Sequence, residues 1–182
     1  MTLNLKKFFA SISRFGKPEG DDPPVSMVLL LREPRFLTLS ELRTAAEKAF
    51  GVPFNGDEES RHFVMRRATI TLMKAGPHML SLLNHTKPYG EKDFPKEFAT
   101  SLPQDSQKLA WSEHKSWTAV DYVQGGADLE LEYAVLARLS AEMLNSNCSG
   151  LYVPREQSLI PNDELLRGEL LRIAASRLLG VS

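Results

Sequence analysis

The segment Val25-Ser26-Met27-Val28-Leu29-Leu30-Leu31 constrains this chain more than any other. A continuous apolar run of strand length leaves no face for water, so it fits a strand covered on both sides. It is expected at the centre of a sheet. After Glu33-Pro34, Thr38-Leu39-Ser40-Glu41 has the form of a capping box, in which a hydroxyl and a carboxylate satisfy the first free amides of a helix. That helix carries Leu39, Leu42, Ala45, Ala46, Ala49 and Phe50 on one stripe and stops at Gly51. Its three alanines allow close approach to a sheet.

From His62 to His85 the pattern is that of strands, and Lys74-Ala75-Gly76-Pro77 reads as the turn between two antiparallel ones. Lys87 to Pro103 holds three prolines and Tyr89, which predicts a long loop with a short helical piece near Phe94 to Ala99. A loop of that length is a candidate for function. Trp117 to Val123 is the next strand, ended by Gly125-Gly126. Asp128 then caps a helix reaching about Asn145, with Leu131, Val135, Leu139 and Met143 on its buried side. Gly150 ends that region, and Leu151 to Val153 and Ser158 to Ile160 follow as short strands. Asn162 or Asp163 caps a last helix with Leu166, Leu170, Ile173, Ala174 and Leu178 as its apolar residues.

The order strand, helix, strands thus occurs twice, and VSMVLLL with TLSELRTAAEKAF parallels SWTAVDYV with ADLELEYAVLARL. The expected fold class is α+β: a two-layer sandwich of a mostly antiparallel sheet with helices packed on one face, built from duplicated β-α-β-β units. A length of 182 residues fits one domain, placed at 25–182 behind an N-terminal arm and linker at 1–24. In the arm, Leu3, Leu5, Phe8, Phe9, Ile12 and Phe15 recur at helical spacing among Lys6, Lys7 and Arg14. Such a cationic amphipathic segment docks on a membrane surface or a partner, or folds onto its own domain.

Charge and cysteine content exclude some partners and suggest a compartment. With 22 Lys plus Arg against 23 Asp plus Glu, no global field draws in nucleic acid. Residues 1–15 lack a signal-length apolar core, and no apolar run is long enough to span a bilayer, so no integral membrane segment is expected. The lone Cys148 fits a reducing, cytoplasmic setting.

The densest chemistry lies in Trp111-Ser112-Glu113-His114-Lys115-Ser116-Trp117, which holds both tryptophans of the chain and one of its four histidines. Read as the approach to a strand, it alternates, so Glu113 and His114 point apart and are poor acid–base partners. His114 then pairs through the fold with Asp121, Glu130 or Glu132, or it is a structural residue at the start of a core strand. The candidate ligand-facing residues are His114, Glu113, Tyr89 and Asp121; no catalytic set is defined.

Recognised motifs for other chemistries are missing. Ala110 stands where a His-x-x-Glu-His zinc motif requires histidine, no Gly-x-Ser-x-Gly or phosphate-cradling glycine loop occurs, and Gly125-Gly126 is too short for a dinucleotide fingerprint. No cofactor or metal site is expected. His78 and His85 are separated by more than roughly 20 Å if their strand is straight, at about 3.3 Å per residue. Arg66 and Arg67 alternate to opposite faces of a strand edge, where charge guards against edge-to-edge association.

The run VSMVLLLREPR, the helix ending Ala49-Phe50-Gly51, the HFVMRRATITLM segment and the strand His114-Lys115-Ser116-Trp117-Thr118-Ala119-Val120 together resemble a bacterial α+β domain family of unknown function. The resemblance covers about residues 25–165, with boundaries soft by a few residues. It implies a similar fold and supplies no activity, cofactor or catalytic residue. The functional expectation is a bacterial cytoplasmic, non-catalytic interaction or accessory domain with a protein partner and no nucleic acid. The alternative is a small enzyme or ligand-binding domain with a cleft between His114 and the 87–103 loop.

Overall fold

The computed structural model describes residues 25–90, 94–124 and 128–178. The expected arm at 3–15, its linker, the Gly125-Gly126 strand stop and the side chain of Leu178 lie outside them. Among the described residues, β1 (Val25–Leu31), β2 (His62–Arg67), β3 (Ile70–Ala75), β4 (His78–His85), β5 (Ser116–Gln124), β6 (Cys148–Val153) and β7 (Ser158–Pro161) form one sheet in the order β2-β3-β4-β5-β1-β6-β7. Every neighbouring pair is antiparallel. The apolar run at Val25 lies inside the sheet, between β5 and β6, as a strand without a wet face must.

Alternation divides the residues of β1 between two cores. Met27, Leu29 and Leu31 join Val64, Met73, Leu80, Val120 and Leu151 on one face of the sheet. That face is covered by α1 (Leu39–Phe50), α4 (Leu129–Met143) and α5 (Leu166–Leu178). Val28 and Leu30 face the other way, into a core with Ala119, Tyr152 and Leu159. Each buried Leu or Val side chain contributes about 1.5–3 kcal/mol relative to exposure, so β1 stabilises both cores at once. The result is an α+β sandwich.

The expectation of helices on one face holds for the three long ones. Two short helices, α2 (Phe94–Ser101) and α3 (Asp105–Glu113), lie on the opposite face and place Phe98, Ala110 and Trp111 in the second core. Local signals set the ends of the long helices. Thr38 and Glu41 form the capping box of α1, Gly51 ends it at φ 71, and Asp128 Oδ1 accepts from the Glu130 and Leu131 amides at the start of α4. Asp163 Oδ1 likewise accepts from Leu165 and Leu166 before α5. α4 is buried beyond the expected stripe, at Tyr133, Ala134, Leu136, Ala137, Ser140 and Ala141 as well, because it packs against α1, α5 and the sheet.

Three sequence expectations need correction, and a fourth, the duplication, is not shown by the strand order. His62 to His85 forms three strands, because a turn at Ala68-Thr69 falls within the run and carries no Gly, Pro or Asn; Ala68 takes the left-handed φ of 46 instead. Residues 111–113 are helical, so the strand alternation assumed for Trp111 to Lys115 does not apply. Gly150 lies inside β6 and does not end it: a Cβ there would meet the Ile160 carbonyl oxygen at 2.9 Å and the Ala110 Cβ at 3.5 Å, and its absence lets α3 lie close to the sheet. The duplication is not visible in the topology. α1 leads to the sheet edge at β2, whereas α4 leads to β6 beside β1. No helix among the described residues is long and apolar enough to cross a membrane.

Candidate functional site

The second core is an aromatic cluster, and Tyr89 is its hub. Its ring meets Phe94, Trp111, Trp117 and Tyr152 edge-on at centroid distances of 6.4, 6.5, 5.3 and 5.2 Å. Edge-to-face pairs of this kind contribute roughly 0.5–1.5 kcal/mol each beyond area burial. The indole Nε1 of Trp111 donates to the Pro95 carbonyl at 2.9 Å and ties α3 to α2, while Gln107 Nε2 donates to the Leu159 carbonyl at 2.7 Å and ties α3 to β7. His85, at the end of β4, stacks on Trp117 with the rings 9° from parallel.

His114 follows the last residue of α3 and is 6% exposed. The Tyr89 amide donates to its Nε2 at 2.9 Å. Nε2 is therefore unprotonated, and the ring proton sits on Nδ1, which donates to the Trp111 carbonyl. Both nitrogens are thus taken by backbone, in the neutral tautomer. Burial holds its pKa below the usual histidine value, and the Trp111 carbonyl opposes that only in part. Protonation would point an N–H at the Tyr89 amide. The imidazole pins the Tyr89 segment to the end of α3.

The other three candidates are also engaged. Glu113 turns away from His114 and accepts from Arg32 Nε at 3.0 Å, and Arg32 also donates to the Ser146 and Cys148 carbonyls. This arginine, which sequence reading did not single out, joins the ends of β1, α3 and β6. Asp121 stands in one row with Ser26 and Ser81 across β1, β5 and β4, and accepts from their hydroxyls at 2.6 and 3.4 Å. The Tyr89 phenol is raised by burial and, secondarily, by the Asp121 carboxylate. Tyr152 is pushed up to about 12, chiefly by burial, then by Tyr89.

The fold therefore brings Tyr89, His114 and Asp121 to one side of the sheet and sends Glu113 to an ion pair. Trp111, Phe98 and Tyr152 complete the cluster, and its sequence signal was the density of aromatic residues between 89 and 117. Among the described residues no three His, Cys, Asp or Glu side chains group as metal ligands, and His78 and His85 lie on opposite faces of β4. His78 Nδ1 is 2.6 Å from the Tyr122 hydroxyl, and burial lowers its pKa. Cys148 is fully buried, which raises its thiol pKa. In comparisons with known proteins, no family model matches this chain, and neither a curated protein nor a solved structure resembles it significantly.

Proposed function

We propose that the chain is a non-catalytic binding module, an accessory to a protein partner in a bacterial cytoplasm. One observation carries the reading: the neutral His114 ring spends both nitrogens on backbone groups, leaving neither a lone pair nor a proton for a substrate. Glu113 and Asp121 are spent in a similar way, on Arg32 and on two serine hydroxyls. The bacterial setting rests on the family resemblance, and the cytoplasmic one on the lone buried thiol of Cys148. The outer edge of β2 from Met65 to Arg67, which pairs with no described strand, is the surface offered to the partner.

The test is to capture a partner with the full chain, reconstitute the complex from the two purified proteins, and map hydrogen exchange. A micromolar or tighter Kd with protection of residues 62–67 supports the module. Turnover of any small molecule that disappears on replacing His114 while the fold survives would overturn it.

A further inference from the structure

On the face of the sheet opposite the aromatic cluster, a groove of about 550 Å³ opens between the start of α1 and the ends of β2, β3 and β4. That is within the usual range of small-ligand sites. Its apolar wall is Phe36, Leu37 and Leu82. Its polar side chains are Thr38, Thr69, Thr71, Asn84 and Arg66, and the last three can each present a donor to the groove.

Arg66 makes no ion pair or hydrogen bond to a described residue, although its neighbour Arg67 is paired with Glu58. Asn84 accepts the Thr118 hydroxyl on Oδ1 at 2.8 Å, which occupies its acceptor and leaves the Nδ2 protons unused. Thr71 lines the groove, is only 3% exposed, and its hydroxyl bonds to no described residue. No carboxylate lines the groove. The nearby Glu41 is held by the Thr38 amide and hydroxyl at 2.8 and 2.9 Å and faces a separate, smaller cavity. The Leu39 and Ser40 amides at the start of α1 have no described acceptor, and the helix adds a positive end.

We propose that this groove binds the carboxylate of an organic acid with an apolar body. The guanidinium of Arg66 takes both carboxylate oxygens in its planar fork. The Asn84 Nδ2 and the Thr71 hydroxyl donate from the groove wall, and the apolar body lies against Phe36, Leu37 and Leu82. A single cation with an apolar wall suits a monoanion of this kind better than a phosphate, which carries more charge and calls for more cations. Two sources present the same chemistry: a free aliphatic or aromatic monocarboxylic acid, and the C-terminus of a peptide ending in an apolar residue. The site lies across the sheet from His114 and uses the side chain of Arg66, whose backbone belongs to the β2 edge offered to the partner above; carboxylate binding does not depend on that interaction.

The experiment is amide-resolved NMR titration of the full chain with 3-phenylpropanoate, its carboxamide, a pentapeptide ending in phenylalanine with a free or amidated C-terminus, and inorganic phosphate. Binding of either carboxylate, with shifts at Arg66, Thr71 and Asn84 and at least tenfold weaker binding of the matching amide, supports the proposal. Which carboxylate binds tighter identifies the source. Arg66→Gln is expected to weaken binding at least tenfold and Thr71→Val several-fold, with thermal melting of Arg66→Gln unchanged because the side chain is exposed and unpaired. Equal binding of acid and amide, phosphate binding without carboxylate binding, binding unaffected by Arg66→Gln, or no shift at these residues with any probe overturns it.

Discussion

At the scale of single residues, the decisive side chains are those whose polar atoms are already spent. His114 illustrates this, since its role is fixed by a backbone amide 25 residues upstream and a carbonyl three residues upstream. His114→Phe preserves a flat ring but strands the partly buried Tyr89 amide, which costs at most about 1–3 kcal/mol. Urea unfolding at pH 7.5 is expected to show that loss. The same residue makes stability depend on pH. Its native pKa is lowered from 6.5, so its contribution is complete above that value. As pH falls below 6.5 the unfolded chain takes the proton first, and stability declines until the lowered native pKa is reached. The slope is at most about 1.4 kcal/mol per pH unit for one group. His78 acts in the same direction, so His114→Phe is expected to reduce the slope between pH 7.5 and 5 and not to abolish it. Gly150 is the complementary case, a residue defined by what it lacks. Gly150→Ala forces its new methyl against the Ile160 carbonyl and is expected to cost about 1–3 kcal/mol by overpacking, read as a lower urea midpoint.

Elements differ in how much of their stability is local. α1 is specified by its own sequence, with a capping box, an apolar stripe and a glycine in the left-handed region at its end. Thr38→Ala removes the hydroxyl that receives the Glu41 amide and is expected to destabilise by roughly 1 kcal/mol, within the range of about 0.5–2 for lost caps. Thermal melting should report that as a fall of about 2–4 °C for a chain of this size. α3 is the opposite. Its three apolar residues, Leu109, Ala110 and Trp111, are consecutive and make no helical stripe, and only Ala110 and Trp111 are buried. What holds it is tertiary: the Gln107 bond to β7, the Trp111 bond to α2, and the close seat that Gly150 leaves for Ala110. That is why WSEHKSW reads as a strand approach in sequence and is helical up to Glu113 in the structure.

For the whole molecule, the arrangement of two cores on one sheet makes β1 and β6 the last parts to open. Cys148 is fully buried at the start of β6, and burial raises its pKa, so a thiol reagent is expected to label it only through unfolding. Labelling rates should rise with urea in parallel with the global transition; rapid labelling in native buffer would contradict this packing. The sequence by itself determined the long helices and their caps, the central apolar strand and the α+β class, because each depends on dihedral preference or on periodicity within a short window. The tertiary structure alone decided the strand order, the helical state of α3 and the occupancy of both His114 nitrogens. It also decided the meeting of Phe36, Arg66, Thr71 and Asn84 around one groove. Those outcomes depend on pairings between residues far apart in the chain, and no local pattern encodes which buried donor will find which acceptor.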